Sequence, residues 1–187
     1  MVSVLLTDQN LLFLHVPKTA GASVSRALLK EVDAIPYSVT DMSEVEPCAI
    51  QLGKQLPKRL AEFQTVSILR NPWDWAVSAY LHVTINFPAF VNPPSFKEFI
   101  LGDWKRANIL QYPKKFATPT AYVAYHSQVT QLEHLSIGGT RIKIDHLCMF
   151  ESLEDDLNMA FGKPLDLLHI NKSDRVHYSR YYDDETE

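Results

Sequence analysis

Residues 11–23, LLFLHVPKTAGAS, decide the fold of this 187-residue chain. The first six form a continuous apolar run of strand length, which is typical of a central parallel strand covered on both faces. Pro17 ends the run, and a short polar segment follows it as far as Gly21. From Ser23 onward the apolar residues recur at helical spacing. The stretch therefore predicts a strand, a loop and a helix, in that order.

Residues 65–69 predict a second strand, and a second helix follows it. The strand ends at Arg70. Asn71 is a residue type favoured at the N-cap of a helix, and Pro72 fits the first helical position because a proline there loses no hydrogen bond. Asp74 places a negative charge in the first turn, where the helix dipole favours it.

Three further elements are predicted in the second half of the chain. Residues 95–101 and 120–134 have the pattern of helices, and residues 142–150 have that of a strand. Ser152 and Asp155 have the spacing of a capping box, which indicates that another helix begins there.

The alternation of strands with helices predicts an α/β fold in which helices flank a central parallel β-sheet. The length fits a single domain over residues 1–187. The carboxyl ends of parallel strands meet at one edge of a sheet, and ligands bind beyond that edge. The two predicted loops therefore open at the same edge, and each carries one cation, Lys18 or Arg70.

The charge and composition count against several classes of protein. The chain has 18 basic and 22 acidic residues, a formal charge of −4, which counts against a nucleic-acid-binding surface. Cys48 and Cys148 lie far apart in the sequence and predict buried free thiols rather than a disulfide framework. No apolar run has the length of a membrane span, and no signal-like stretch begins the sequence, so a cytoplasmic protein is expected.

The loop after the first strand has the residue types of a phosphate-binding loop. Gly21 and the small residues beside it let backbone amides approach a ligand, and the start of the helix favours negative charge. Lys18 adds a point charge, and Thr19 and Ser23 add hydroxyl groups. An ordinary strand-to-helix loop with a solvated lysine explains this stretch equally well. The order is not that of a Walker A motif, because the lysine precedes the glycine.

The segment after the second strand offers a second phosphate site. Ser78 lies two turns into the predicted helix, on the same face as Asn71 and Asp74. Arg70 and Ser78 would hold one phosphate between them, the arginine through two parallel hydrogen bonds. A capping or salt-bridging role explains Arg70 equally well.

Together these segments resemble the cytosolic and Golgi sulfotransferase families, especially the branch of carbohydrate sulfotransferases. Residues 17–23 resemble that branch's Pro-Lys-Thr-Gly-Gly-Thr-Ser type of loop. Residues 70–78 resemble its Arg-Asn-Pro segment, in which a serine stands eight residues after the arginine. Residues 150–157 are similar to its strand-then-helix Phe-Glu-Asn-Leu element, and residues 171–182 to its C-terminal tail.

The resemblance implies a fold shared with P-loop kinases and the cofactor 3′-phosphoadenosine 5′-phosphosulfate (PAPS). It implies that Lys18 contacts the bridging oxygen and stabilises charge on the leaving phosphate. No metal is implied. The acceptor would carry a hydroxyl group, as a carbohydrate or a small molecule does, and the product would be adenosine 3′,5′-bisphosphate. The residues implied to bind the cofactor are Lys18, Thr19, Ala20, Gly21, Ala22, Ser23, Arg70 and Ser78.

The sequence departs from the family pattern in three places. Ala22 stands where the family often has a threonine, and Trp75 where it often has an arginine. No histidine stands where many relatives have a catalytic base, and Glu46 falls at about that place. Glu46 is therefore a candidate base, and a solvated loop acid explains it equally well. His82 and His126 are alternatives.

Two other functions stay open. A P-loop-like nucleotide kinase would use a similar fold, although the Walker order and an obvious magnesium-binding aspartate after a strand are missing. A catalytically inactive module that binds nucleotides would explain Ala22, Trp75 and the missing histidine.

Overall fold

The computed structural model shows an α/β protein with a mixed β-sheet flanked by helices. It describes residues 2–31, 33–38, 63–86, 92–103, 119–137, 140–168 and 175–183. The strands are β1 (Val2–Leu6), β2 (Leu11–Leu14), β3 (Ala34–Ser38), β4 (Gln64–Leu69), β5 (Ser136–Ile137), β6 (Thr140–Arg141) and β7 (His146–Met149). The α-helices are α1 (Gly21–Leu28), α2 (Pro72–Leu81), α3 (Phe96–Leu101), α4 (Pro119–Ser127) and α5 (Leu153–Phe161).

Five of the described strands form one sheet in the order β3-β1-β2-β4-β7. The neighbours β2, β4 and β7 run parallel, as the sequence predicts. Strand β1 runs antiparallel to both of its neighbours, β2 and β3, so the sheet is mixed and the predicted parallel sheet is confirmed only in part. The reason is the four-residue turn Thr7–Asn10, in which Asn10 has a φ of 51° and donates its N–H to the carbonyl of Thr7. A connection this short joins antiparallel strands only, because parallel strands need a crossover of about a dozen residues or more.

Strand β2 lies at the centre of the sheet and is buried along its whole length. Leu11 and Phe13 face one side, where they pack in a cluster that includes residues of α1 and α5. Leu12 and Leu14 face the other side, in a second cluster. A strand with both faces covered is what a continuous apolar run predicts. The first cluster also contains Cys148, a free thiol that is buried as predicted.

The predicted start of α2 is confirmed in detail. The side chain of Asn71 accepts hydrogen bonds from the backbone N–H groups of Trp73, at 3.0 Å, and Asp74, at 3.4 Å. Pro72 occupies the first helical position. Helix α2 therefore begins two residues after Arg70, and Arg70 stands between the end of a parallel strand and a capped helix.

Two predictions about helix ends are wrong. Helix α5 begins directly after Ser152, as predicted, but the predicted capping box does not form: the Ser152 hydroxyl donates to Asp156 at 2.9 Å, and the same carboxylate accepts the N–H of Met149 at 2.7 Å. The acid that contacts this turn therefore stands one position after Asp155. The helix predicted over 120–134 is interrupted, because α4 ends at Ser127 and only a short 3₁₀ turn, Glu133–Leu135, follows.

The chain divides into two compact units. The first contains the five-stranded sheet, α1 and α5, and draws on Met1–Val39, Pro47–Arg70 and Gln131–Lys172. The second contains α2, α3 and α4, and its aromatic core includes Tyr80 and Phe96. The single domain over residues 1–187 stays a prediction. Among the described helices, none has both the length and the apolar character needed to cross a bilayer.

Candidate anion-binding site

The candidate site lies in the first unit, at the carboxyl ends of β2 and β4. These strands are parallel neighbours in the sheet, with Leu14 paired to Ser67. The loop that carries Lys18 follows β2, and Arg70 directly follows β4. The guanidinium Nη1 of Arg70 donates a hydrogen bond to the backbone carbonyl of Lys18 at 3.0 Å. The prediction that the two cationic loops open at one edge of the sheet is therefore confirmed.

The backbone of the loop has an unusual conformation. Lys18 has a φ of 64° and Ala20 a φ of 65°, and neither is a glycine. A residue other than glycine in this left-handed region costs about 1 kcal/mol or more, and such residues cluster at functional sites. Backbone N–H groups that alternate between left- and right-handed conformations form concavities that bind anions. The two left-handed residues reduce the stability of the folded chain, and they give the loop a shape suited to binding an anion.

Helix α1 begins at this loop without a side-chain cap. The first four N–H groups of a helix lack intrahelical acceptors. Here the N–H groups of Ser23 and Val24 both donate to the carbonyl of Ala20, at 2.9 and 3.2 Å. Gly21 and Ala22 therefore supply the remaining N–H groups at the positive end of the helix dipole, where an anion is stabilised.

Gly21 is required for packing rather than for a left-handed backbone. A Cβ atom placed on Gly21 would lie 2.6 Å from Cδ2 of the His15 ring. The sequence predicts that this glycine lets amides approach a ligand, whereas the structure shows that its missing side chain lets the first turn of α1 pack on a buried histidine.

Lys18 is a largely buried cation beside a second cation. Burial, and to a smaller extent the charge of Arg70, together lower the pKa of Lys18 to about 8. Within the described part of the chain, no carboxylate forms an ion pair with Lys18. Burying a charge is costly unless an opposite charge compensates it. A bound anion would supply that compensation for Lys18.

Arg70 is held by two residues that the sequence patterns do not single out. The side-chain amide of Gln131 accepts the backbone N–H of Arg70 at 2.9 Å and donates to its carbonyl at 2.8 Å. The guanidinium carbon of Arg70 lies 4.0 Å from the centre of the Phe150 ring. Gln131 lies in the stretch predicted to be helical, and Phe150 was expected to end a strand and to belong to a family element. Neither position carries a local signal for contact with Arg70.

The two hydroxyl residues of the loop are both buried. Thr19 is fully buried, and its hydroxyl donates to the carbonyl of Val16 at 2.9 Å, so this hydrogen serves the loop itself. Ser23 lies buried in the first turn of α1. Ala22, beside it, is exposed.

The remaining predicted site residues lie elsewhere. Ser78 is part of α2 in the second unit and is partly buried. Glu46, the candidate base, lies outside the described residues. The alternatives His82 and His126 contact each other in the second unit, with ring centres 4.9 Å apart.

Comparisons of this chain with models of protein families, with curated proteins and with solved structures find no match. Two features of the chain bear on its function: the geometry around Lys18 and Arg70, and the sequence motifs. Both concern the same two loops, because the motif residues 17–23 and Arg70 stand at the edge of the sheet described above.

Proposed function

We propose that this chain is a sulfotransferase that binds PAPS at the Lys18–Arg70 site and transfers its sulfuryl group to an acceptor hydroxyl. One observation carries the proposal. The guanidinium of Arg70, which follows β4, bonds to the backbone carbonyl of Lys18 in the loop after the neighbouring strand β2, and Lys18 has no carboxylate partner among the described residues. Such an arrangement favours an anionic ligand over an ordinary solvated lysine.

The residues present fit an anionic nucleotide. Lys18 and Ala20 both have positive φ angles, a backbone suited to an anion-binding concavity, and the first turn of α1 begins directly after this loop. The N–H groups of this loop and turn would hold the 5′ phosphosulfate, whose phosphate becomes the leaving group. Arg70 would hold the 3′ phosphate, to which the sequence motif also assigns Ser78. Thr19 fits less well than the family pattern implies, because its hydroxyl already donates within the loop.

The mechanism assigns one task to each residue. PAPS supplies the sulfuryl group, which bonds to the acceptor oxygen as its bond to the 5′ phosphate breaks. Protonated Lys18 would stabilise the negative charge that develops on that phosphate, and the first-turn N–H groups of α1 would assist. Glu46 would accept the proton of the acceptor hydroxyl. Since a nearby dianion favours the charged form of a lysine, ligand binding would raise the pKa of Lys18 again.

The proposal also includes a P-loop-like sulfotransferase fold for this chain. Strands β2, β4 and β7, with the strand–loop–helix unit from β2 to α1, would correspond to the parallel part of a P-loop-like sulfotransferase fold. The acceptor in this proposal is a carbohydrate or a small molecule that carries a hydroxyl group.

A thermal-shift measurement with two nucleotides, followed by a turnover assay with PAPS, tests the proposal. Adenosine 3′,5′-bisphosphate at a hundredfold excess over its Kd should stabilise the protein by about 3 kcal/mol, and ATP with magnesium should stabilise it far less. Labelled PAPS is then supplied with a panel of hydroxyl acceptors. Equal stabilisation by magnesium ATP would support the kinase alternative. Binding of the bisphosphate without turnover of any acceptor would support the inactive module.

A further inference from the structure

The side chain of Gln131 forms hydrogen bonds with the backbone of Arg70. Its amide oxygen accepts the Arg70 N–H at 2.9 Å, and its amide nitrogen donates to the Arg70 carbonyl at 2.8 Å. This is the pair of hydrogen bonds that a neighbouring strand would make. Gln131 itself is buried, with 9% of its surface exposed. The two bonds therefore extend the order of β4 by one residue.

That extension is needed because the neighbouring strands stop short of Arg70. The pairing of β4 with β2 ends at Ser67, and its pairing with β7 ends at Leu69. A residue just beyond a strand end normally loses its fixed partners and gains backbone freedom, which must be removed again when a ligand binds. The amide of Gln131 fixes the Arg70 backbone before any ligand binds.

Phe150 restricts the other end of the Arg70 side chain. The guanidinium carbon lies 4.0 Å from the ring centre, within the range of a cation–π contact. In this position Nη1 reaches the carbonyl of Lys18 at 3.0 Å. Backbone, guanidinium face and guanidinium edge are thus held by three separate segments of the first unit.

We propose that Gln131 and Phe150 are positioning residues, which hold Arg70 in place for the 3′ phosphate of the nucleotide without contacting the ligand. The inference rests on the proposed function for the identity of the ligand. Its physical content is independent of the ligand: removal of either contact should release the guanidinium from Lys18. Preorganised charges bind better than mobile ones because less freedom is lost on binding.

Three variants and one control separate positioning from general stability. Gln131→Met keeps the length of the side chain and removes both hydrogen bonds. Phe150→Leu keeps an apolar side chain and removes the ring, and Phe150→Tyr restores the ring. The control is Ser67→Ala, because Ser67 is buried in β4 and donates to the carbonyl of Leu14 at 2.9 Å, away from Arg70.

Binding of adenosine 3′,5′-bisphosphate is compared with that of adenosine 5′-monophosphate. We expect Gln131→Met and Phe150→Leu to weaken binding of the bisphosphate about tenfold and of the monophosphate less than twofold. Phe150→Tyr should bind both as the wild type does. Ser67→Ala should lower the melting temperature while both affinities stay unchanged. Equal losses for both nucleotides would overturn the proposal, since only the 3′ phosphate is assigned to Arg70.

A second readout works without a ligand. The titration of Lys18 is followed by NMR of ¹³C-labelled lysine side chains in each variant. Burial is the main cause of the lowered pKa of Lys18 and the charge of Arg70 is the second, so release of the guanidinium in Gln131→Met or Phe150→Leu should raise that pKa in part. The pKa should not move in Ser67→Ala. If the wild type binds neither nucleotide, the proposed function fails and the Lys18 titration alone decides the positioning role. An unchanged titration in both Gln131→Met and Phe150→Leu overturns it.

Discussion

The imidazole ring of His15 occupies the space that a side chain on Gly21 would need. A Cβ at Gly21 would lie 2.6 Å from Cδ2 and 2.8 Å from both Cγ and Nε2 of that ring. The first turn of α1 thus packs directly on the residue that follows β2. Because this turn carries N–H groups of the candidate site, Gly21 determines how closely those groups approach the end of β2.

Gly21→Ala should destabilise the protein by about 2–3 kcal/mol, because the ring or the helix must move. Urea denaturation measures the change. Ala22→Ser, at an exposed position next to it, serves as the control and should change stability by less than about 0.5 kcal/mol. The double variant His15→Ala with Gly21→Ala should be more stable than the sum of the single effects predicts. Strict additivity would show that the ring is not the obstacle.

Lys18→Met should stabilise the protein at neutral pH. The pKa of Lys18 is about 8 in the folded protein and near 10.5 in the unfolded chain, so at pH 7 the folded state bears the cost of a buried charge. A difference of this size corresponds to about 3 kcal/mol. Between pH 8 and 10.5 the unfolded chain binds more protons, so the wild type gains stability as the pH rises. The advantage of Lys18→Met in urea denaturation should therefore be largest at pH 7 and shrink toward pH 10.5.

His134 should make the protein sensitive to acid. Burial lowers the pKa of His134 to about 4, against a smaller opposing effect of Glu133. Between pH 6.5 and 4 the unfolded chain takes up a proton that the folded protein does not. Stability should fall by about 3 kcal/mol over this window as the pH drops. His134→Gln should flatten that part of the stability–pH curve, and an unchanged slope would place the acid sensitivity elsewhere.

Arg70→Ala should weaken the binding of adenosine 3′,5′-bisphosphate by about 2–4 kcal/mol, the cost of a lost charged contact. Ser78→Ala should cost about 1 kcal/mol, since a neutral hydroxyl is removed. Isothermal titration calorimetry measures both. The matched ligand is adenosine 5′-monophosphate, whose affinity should barely respond to either change. A comparable loss with the monophosphate would place Arg70 away from the 3′ phosphate.

Turnover of PAPS should separate Lys18 from Glu46. Lys18→Ala should lower kcat about 100-fold or more, because the positive charge acts as the leaving phosphate becomes negative. Glu46→Gln should leave nucleotide affinity within about twofold while kcat falls about 100-fold, and the acid limb of the pH–rate profile should disappear. Near-normal turnover of Glu46→Gln would direct attention to Glu44, His82 and His126, in that order.

Local patterns were sufficient to predict the elements that form the site. A few neighbouring residues were enough in each case: the apolar run at residues 11–16 predicts β2, and Asn71-Pro72 predicts the start of α2. The alignment of β2 with β4, and hence the meeting of Lys18 and Arg70, followed from the general rule that parallel strands end at one edge. The strand pairing, the hydrogen bond between Arg70 and Lys18, and the helix start are confirmed, whereas the role of these residues in binding stays a prediction.

Long-range contacts determined what the sequence did not predict. The turn Thr7–Asn10 has the residue types of a tight turn, which is a local signal for the antiparallel direction of β1. The break after Ser127 has no local signal, because neither glycine nor proline stands nearby. Gln131 has instead a tertiary role, in which its amide bonds to Arg70. Helix propensity of a few tenths of a kcal/mol per residue is too weak to compete with two such bonds.

The connectivity of the sheet has a consequence for the order in which the protein folds. The β1–β2 pair closes over a turn of four residues, Thr7–Asn10, and a hairpin of this kind forms in about 1–10 μs. The edge strand β7 reaches β4 only after a far longer loop has closed: Thr65 and Asp145, which hydrogen-bond beside this pair, are 80 positions apart. Loop-closure entropy delays such pairings. We therefore expect the hairpin to belong to the folding nucleus and β7 to add late. Cys148→Ala should then speed unfolding while the refolding rate hardly changes.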